Sequence, residues 1–276
     1  MTEHQTMDQA AGASPPWSLG GRAALVTGSS RGIGAAIAGT LAERGARVAI
    51  HCHRRADAAE ALAARIRGGG GEAVVLVADL TEAAAAGELV RKAADALGGL
   101  DILVNNAAVF EGGALASLDT AQIDRVLAVN LRALLLATRD FALLPRPEGR
   151  GGRIVNLGSI AGGVPSGGSS LYAASKAAVN SLTRSHAMEL GPRAITVNAV
   201  APGPTETDMA SVFGAPVRQV ITRATALGRL GRPDDIAQVV AFLCSDAAGW
   251  VTGQVIGADG GMPTGAFALM KATGAV

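Results

Sequence analysis

The stretch Thr27-Gly28-Ser29-Ser30-Arg31-Gly32-Ile33-Gly34 decides the fold, because of what stands on either side of it. The apolar run Ala23–Val26 precedes it and predicts a buried strand, and the spacing of Ile33, Ile37 and Leu41 predicts a helix after it. A glycine-rich turn between a strand and a helix is typical of a dinucleotide-binding loop, since the helix N-terminus offers free N–H groups to a pyrophosphate. The alternative is a turn that needs glycines only for its own shape.

The rest of the chain alternates apolar strands with helical segments, without a linker or a break in composition. At 276 residues it is long enough for one large domain. Strands that alternate with helices predict an α/β fold, a single doubly wound domain with a central parallel sheet flanked by helices.

Charge and composition exclude several classes of function. The net charge of +1 gives no reason to expect nucleic acid or an anionic membrane as a partner. The apolar run Leu131–Leu144 is interrupted by charged residues, so no membrane span is expected. Cys52 and Cys244 are the only cysteines and form no spaced motif, which favours a reduced, cytoplasmic protein.

Tyr172 and Lys176 stand four residues apart, a spacing that places a lysine ammonium over a tyrosine ring on one helix face. A nearby positive charge favours the phenolate and lowers the tyrosine pKa from its usual value of about 10. Lysine is rare in this chain, with only Lys92 and Lys271 besides Lys176. The pair therefore predicts a proton-transfer site, although the spacing alone recurs by chance on many helices.

Further short motifs follow in a fixed order along the chain: Asp79-Leu80, Asn105-Asn106-Ala107-Ala108, Asn130, Ser159, Tyr172 with Lys176, Pro202-Gly203 and Asp259-Gly260-Gly261. With the glycine-rich loop, they make the chain from about Leu19 to Met262 resemble the short-chain dehydrogenase/reductase family, near its 3-oxoacyl-carrier-protein-reductase-like branch. Ala108 stands where the family more often has glycine. The resemblance implies a Rossmann-type domain over 19–262, a flexible leader over 1–18 and a tail over 263–276.

The resemblance assigns a catalytic role to four residues. Ser159 would bind the substrate oxygen, and Tyr172 would protonate it during reduction or act as the base during oxidation. Lys176 would lower the tyrosine pKa and hold the nicotinamide ribose. Asn130 would hold a water that links Lys176 to solvent.

The second strand is predicted over Arg47–Arg55, and the residues at its end indicate which cofactor is preferred. No carboxylate stands near Cys52 before Asp57, whereas NAD-preferring folds place an acidic residue there for the ribose hydroxyls. Arginines suit a 2′-phosphate, so we expect NADP(H) to be preferred, with NAD(H) possible, through Arg31 and one of Arg54 or Arg55. The alternative is that Arg54 and Arg55 only solvate a helix start.

His51 and His53 share one face of this strand, and Cys52 lies on the other. No companion cluster of cysteine or histidine completes such a set, so we expect no metal site.

By resemblance, Asp79 would bind the adenine amino group, Leu80 would pack beside the ring and Thr207 would contact the nicotinamide amide. The predicted cofactor set is Gly28, Ser30, Arg31, Gly32, Ile33, Gly34, His53, Arg54, Asp79, Leu80, Asn106, Ala107, Tyr172, Lys176, Pro202, Gly203, Thr205 and Thr207. For Asn105 and Asn106 a purely structural role stays open.

A lid over the substrate is expected at about 205–227, helical from about Ala210 to Leu227. Its apolar residues either meet a ligand or simply pack; they are Val212, Phe213, Val217, Val220 and Ile221.

We expect NADPH-dependent reduction of a small or medium ketone, including 3-oxoacyl or polyketide-type compounds. The alternatives are oxidation of a secondary alcohol, sugar or polyol on the same fold, and a non-catalytic NADP-sensing module. Leu143 and Met188 stand where carrier-protein reductases have basic docking residues, which disfavours a carrier-bound substrate, although Arg139, Arg184 and Arg193 are nearby. The resemblance also implies a homotetramer, built from the helices that carry Asn130 and Tyr172 and from the C-terminal strand.

Overall fold

The computed structural model describes residues 15–147, 149–164, 167–208 and 214–262. These residues form one seven-stranded parallel sheet in the order β3-β2-β1-β4-β5-β6-β7. The strands are β1 Ala23–Val26, β2 Arg47–Cys52, β3 Ala73–Val77, β4 Ile102–Asn105, β5 Gly152–Leu157, β6 Ile195–Pro202 and β7 Val255–Ala258. The predicted doubly wound α/β fold is confirmed.

Helices cover both faces of the sheet: α1 Gly32–Glu43, α2 Ala56–Gly68, α3 Ala85–Leu97, α4 Thr120–Leu127, α5 Ala133–Leu143, α6 Ser170–Leu190, α7 Ala215–Ala224 and α8 Pro233–Cys244. One apolar cluster lies between the sheet and α1, α2 and α8. A second lies between the sheet and α3, α5 and α6. Because both faces are covered, β1 is apolar throughout and β4 is apolar up to Asn105, without the alternation of a half-exposed strand.

The direction of winding reverses at β1, which pairs with β2 on one side and with β4 on the other. In sheets of this kind a crevice opens beyond the carboxyl ends of the strands at this point, and ligands bind there. Asn105 at the end of β4 donates through Nδ2 to Asn156 Oδ1 of β5 at 2.9 Å. Asn105 therefore ties neighbouring strands together beneath the crevice.

Some predicted boundaries differ from the structure. β2 ends at Cys52, before the two arginines. Asn130 lies in a π-helical turn over Ala128–Arg132 that joins α4 to α5. Such turns often occur at functional sites.

The segment expected as a lid is described only in part. Its helix α7 spans Ala215–Ala224, and Val217 and Val220 are nearly half exposed. Residues 209–213, with Val212 and Phe213, lie outside the described residues.

The chain ends are only partly described. Residues 1–14 and 263–276 lie outside the described residues, so most of the predicted leader and the whole predicted tail do as well. Pro16 accepts a backbone hydrogen bond from Ala247 at 2.9 Å. Within the described ranges, no helix is sufficiently long and apolar for a membrane span.

Candidate active site

A cleft of about 1710 Å³ opens at the carboxyl edge of the sheet. It is lined by the whole predicted cofactor set and by Ser159. Asn130 is the one predicted catalytic residue that does not line it among the described residues; it lies behind the cleft wall. The described residues of α7 do not line the cleft either, so the expected lid contact is not seen in them.

The glycine-rich loop between β1 and α1 forms one wall of the cleft. Gly28 has a φ of +63°, which favours glycine, and a Cβ on Gly34 would lie 2.4 Å from the carbonyl oxygen of Gly28. Arg31, the N-cap residue of α1, offers no side-chain acceptor to the first turn. The N–H groups at the positive end of this helix are therefore available to an anion, and the loop fits a dinucleotide pyrophosphate.

Asn106 holds this loop against the end of β4. Its Nδ2 donates to the carbonyl oxygens of Thr27 at 2.8 Å and of Gly28 at 3.0 Å. Thr27 Oγ1 in turn accepts from the backbone N–H groups of Asn106 and Ala107. Since both hydrogens of Nδ2 are used, the side chain of Asn106 has a structural role here.

His51 lies beneath the same loop with only 2% of its surface exposed. Its Nδ1 accepts from the backbone N–H of Gly28 at 2.9 Å, and its Nε2 contacts the carbonyl oxygen of Ala78 at 3.1 Å. Burial lowers the pKa of His51. No cluster of three or more potential metal ligands occurs among the described residues.

Several charged side chains lie at the end of the cleft that is predicted to bind the adenosine of the cofactor. His53 Nε2 lies 3.2 Å from Asp79 Oδ2. Asp79 Oδ1 accepts two hydrogen bonds from Thr81, which hold the pKa of Asp79 below its usual value. Arg54 is exposed on the cleft wall.

Arg31, predicted to bind a 2′-phosphate, forms an ion pair across the cleft. Its Nη1 lies 2.5 Å from Asp208 Oδ2. Both side chains are more than half exposed, so the pair contributes little to stability and can be exchanged for another anion.

Ser159, Tyr172 and Lys176 meet at the end of β5. Ser159 stands two residues after the end of β5, and its Oγ accepts from the backbone N–H of Ala161 at 3.1 Å. Lys176 Nζ lies 5.6 Å from the centre of the Tyr172 ring, as the four-residue spacing predicts. It donates to the carbonyl oxygen of Leu157 at 2.7 Å, which fixes the ammonium beneath the cleft floor.

Burial determines the proton affinities of this trio. It raises the pKa of Tyr172, while the hydrogen bond with Ser159 acts in the opposite direction. It also lowers the pKa of Lys176 to about 8. The lowered tyrosine pKa expected from the sequence is therefore not seen, because removing a phenolate from water costs more than the Ser159 hydrogen bond contributes.

The side chain of Asn130 lies behind Ser159, Tyr172 and Lys176 and forms three hydrogen bonds. Its Oδ1 accepts from the backbone N–H of Val109 at 2.9 Å, and its Nδ2 donates to Val109 O at 3.1 Å and to Ser175 Oγ at 3.0 Å. Both hydrogens of Nδ2 are thus used within the protein. A cavity of about 10 Å³, enough for about one water, is lined by Asn130 and Lys176.

Phe110 is a site residue that sequence reasoning missed. Its ring meets the ring of Tyr172 edge to face, with centroids 5.1 Å apart and planes inclined at 72°. This arrangement is favourable for aromatic pairs and limits how the phenol can turn. No local pattern could have revealed it, because the two residues are far apart in the chain.

The segment after β6 crosses the glycine-rich loop. Thr205 Oγ1 donates to the carbonyl oxygen of Gly203 at 2.9 Å, and Thr207 Oγ1 donates to that of Thr205 at 3.4 Å. The methyl carbon of Thr207 would lie 3.4 Å from a Cβ on Gly32. The segment therefore lines the cleft next to the glycine-rich loop.

Comparisons with known proteins agree with this site. The family model described as enoyl-(acyl carrier protein) reductase matches residues 28–263. The 3-oxoacyl-[acyl-carrier-protein] reductase FabG of Staphylococcus aureus is 38% identical over 241 residues, covering 87% of this chain and 98% of that protein. Versicolorin reductase 1 of Aspergillus parasiticus is 38% identical over 261 residues, covering 88% and 97%.

A solved structure shows the same relationship. The short chain dehydrogenase from Burkholderia cenocepacia J2315, in complex with NADP, is 46% identical, with a TM-score of 0.83, and the match covers 88% of this chain and 98% of that one. The chain belongs to the short-chain dehydrogenase/reductase family. It is an NAD(P)-dependent oxidoreductase, which confirms the family and the class of enzyme predicted from the sequence.

Proposed function

We propose that this protein reduces a small or medium ketone to a secondary alcohol with NADPH, using Tyr172 as the proton donor. One observation carries the proposal: the hydroxyl-bearing side chains of Ser159 and Tyr172 line the same cleft, next to the buried ammonium of Lys176. Two hydroxyl groups side by side can bind a single carbonyl oxygen, which suits a ketone substrate.

A bound NADPH would supply the hydride for the carbonyl carbon. Ser159 holds the substrate oxygen, and Tyr172 gives it a proton as negative charge develops there. Burial raises the pKa of Tyr172, which keeps the phenol protonated at neutral pH and able to donate to the substrate oxygen.

Lys176 and Asn130 support that proton transfer. The ammonium of Lys176 stabilises the phenolate that Tyr172 leaves behind, and its hydrogen bond to Leu157 keeps it in place. The cavity shared by Lys176 and Asn130, with room for about one water, would let a water return a proton from solvent. Because the hydrogens of Asn130 Nδ2 are used, Asn130 shapes this cavity and does not itself donate to the water.

NADPH is favoured over NADH by the charges at the end of β2. Cys52 stands where an acidic residue would bind the ribose hydroxyls of NAD, and the exposed Arg54 lines the cleft beyond it. Arg31 would exchange Asp208 for the 2′-phosphate, which carries about two negative charges. The related protein of Burkholderia cenocepacia was solved in complex with NADP.

A free ketone is favoured over a carrier-bound one, although the Staphylococcus aureus relative is named for a carrier-bound substrate. Leu143 and Met188 are 70% and 83% exposed and present no charge to an acidic carrier. Arg139 is paired with Asp140 at 2.9 Å, and Arg193 donates to the carbonyl oxygen of Ala142. Because exposed pairs such as that of Arg139 can be exchanged, as for Arg31, and Arg184 is also exposed, the argument against a carrier rests on Leu143 and Met188.

The same exposed apolar side chains fit a homotetramer. Leu135 and Leu143 lie on α5 and Met188 lies on α6, the helices expected at one interface; Trp250, just before the edge strand β7, is fully exposed. Light scattering would then give four times the chain mass of 27.5 kDa. A monomer at micromolar concentration would contradict this assembly.

The proposed reaction is tested by following NADPH oxidation with a panel of cyclic ketones, aryl ketones and 3-oxoacyl thioesters. The reverse reaction is followed with NADP⁺ or NAD⁺ and the matching alcohols, sugars and polyols. We expect turnover of at least one ketone, with NADPH favoured over NADH by about tenfold or more in kcat/KM, or about 1.4 kcal/mol. Turnover of alcohols with NAD⁺ alone would indicate the oxidative alternative, and tight NADPH binding without any turnover would indicate a sensing module.

A further inference from the structure

His51 connects the glycine-rich loop to β3 through both of its ring nitrogens. Nδ1 faces the backbone N–H of Gly28 at 2.9 Å, and Nε2 faces the carbonyl oxygen of Ala78 at 3.1 Å. A backbone N–H can only donate and a carbonyl oxygen can only accept. The two partners together therefore require a neutral ring with its hydrogen on Nε2 and a lone pair on Nδ1.

The backbone of His51 holds the next residue of the same loop. His51 N donates to Ser29 Oγ at 3.0 Å, and Ser29 N donates to His51 O at 2.8 Å. Ser29 Oγ donates in turn to the carbonyl oxygen of Val26 at the end of β1. The first residues of the loop are thus held from β2 at three points, and the contact to Gly28 is the one made by a side chain.

Gly28 is one of two glycines of the loop with a positive φ, the other being Gly32. Its φ of +63° is one of two conformations that glycine adopts about equally readily, so the backbone alone does not select it. A Cβ at this position would lie 2.9 Å from the Cα of Ala107, which shows how closely the loop approaches the end of β4.

We propose that His51 is a positioning residue of the cofactor loop: its unprotonated Nδ1 fixes the N–H of Gly28 and thereby preorganises the loop to receive the dinucleotide. The inference rests on the proposed function, since it takes NADP(H) as the ligand of the loop. His51 acts through Gly28, beneath the cleft wall, and takes no part in proton transfer to the substrate.

Acid should weaken this contact. A proton on Nδ1 would face the N–H of Gly28, so two donors would point at each other and the hydrogen bond would be lost. The charged or titratable groups on the neighbouring segments are Arg47 and Cys52 on β2, His53, Arg54 and Arg55 after it, Asp79 after β3 and Arg31 in the loop; β1 has none. Burial has the largest effect on His51 and lowers its pKa; the hydrogen bond with Ala78 acts in the opposite direction, and the charge of His53 adds a smaller lowering. We therefore expect the loss only below the usual histidine pKa of about 6.5.

Two uncharged variants test the hydrogen bonds of Nδ1 and Nε2 of His51 one at a time. In His51→Asn the amide oxygen takes the position of Nδ1 and can accept from Gly28, but the side chain is too short for Ala78. In His51→Gln the amide takes the position of Nε2 and reaches Ala78, but no acceptor remains for Gly28. Both variants lose one of the two hydrogen bonds of the ring, so a merely structural role predicts similar effects from both.

The measurement is the dissociation constant of NADP⁺ by titration calorimetry, with thermal unfolding to show that each variant is folded. At pH 7 we expect His51→Asn to bind within about threefold of the wild type and His51→Gln to bind about tenfold more weakly, the effect of losing one hydrogen bond. Equal affinities of the two variants would overturn the proposal.

The pH profile supplies an independent readout. As the pH falls below 7, down to the lowest pH at which both proteins are folded, the wild type should lose more affinity than His51→Asn, since titration of the 2′-phosphate is common to both. His186→Asn, which removes another partly buried histidine far from the cleft, should follow the wild-type profile. Identical profiles for the wild type and His51→Asn would contradict the role of Nδ1.

Hydrogen exchange of the Gly28 amide tests the contact without any cofactor. It should be slow in the wild type and in His51→Asn and fast in His51→Gln; slow exchange in all three would contradict the inference. A wild-type protein that binds no NADP⁺ would instead contradict the proposed function, and the exchange result would still decide the contact.

Discussion

The ammonium nitrogen of Lys176 lies 5.6 Å from the centre of the Tyr172 ring and is itself held by the carbonyl oxygen of Leu157. The two residues are one helical turn apart on α6, so the helix fixes their separation. Lys176 is buried and Tyr172 is partly buried, and removal from water shifts both groups toward their neutral forms: the pKa of Tyr172 is raised and that of Lys176 is lowered to about 8. The cleft is therefore set for a phenol that donates a proton.

The pKa of Tyr172 can be measured directly, because it is the chain's only tyrosine. The near-ultraviolet absorbance of phenolate formation should show a pKa above the usual value of about 10 in the cofactor-free protein, since burial disfavours the phenolate. Rapid pH jumps avoid unfolding, and Tyr172→Phe supplies the baseline. A midpoint below 10 without cofactor would contradict the dominance of burial.

Lys176→Met should stabilise the protein while abolishing turnover. Holding the pKa of Lys176 at about 8 instead of 10.5 corresponds to a penalty of roughly 3 kcal/mol at neutral pH. Loss of the hydrogen bond to Leu157 offsets part of this, so we expect a net gain in the free energy of unfolding of about 1–3 kcal/mol.

The pH dependence of that gain follows from the direction of the shift. Because the folded pKa lies below the unfolded one, the unfolded chain binds more protons between about pH 8 and 10.5, and wild-type stability rises with pH in that range. The advantage of Lys176→Met should therefore be full below pH 8 and fade toward pH 10.5. Urea unfolding measures it, with the exposed Lys92→Met as the control; a constant gain at every pH would rule out this explanation.

Arg54→Ala should weaken NADPH binding by about tenfold or more and leave NADH binding nearly unchanged. The reason is that an exposed arginine at the cleft wall meets the 2′-phosphate that only NADPH carries. Fluorescence titration of both nucleotides measures the two affinities. Arg65→Ala, an exposed arginine on α2 away from the cleft, is the matched control. If NADPH and NADH binding were weakened equally, Arg54 would not be the residue that contacts the 2′-phosphate.

Local patterns were sufficient for much of this structure. The strand, turn and helix around Gly28 and the pair of Tyr172 and Lys176 depend on spacing within a few residues, and the structure has them as predicted. The contacts of Phe110 with Tyr172 and of Arg31 with Asp208 join distant parts of the chain, and no local pattern contains them.

The direction of the Tyr172 pKa shift was wrong for a related reason. The sequence shows that a lysine stands one turn away, but not how deeply the packed helices and loops remove the phenol from water. Similarly, His51 seemed at most a metal ligand in the sequence, because its partners Gly28 and Ala78 come from two other segments of the fold.

The most direct test of the proposed mechanism is the rate of NADPH-dependent ketone reduction by Tyr172→Phe, measured beside the dissociation constant of NADPH. If Tyr172 donates the proton, kcat should fall by about 10²–10⁴-fold while NADPH binding stays within a few fold of the wild type. A variant that keeps its rate would show that another group supplies the proton and would contradict the mechanism.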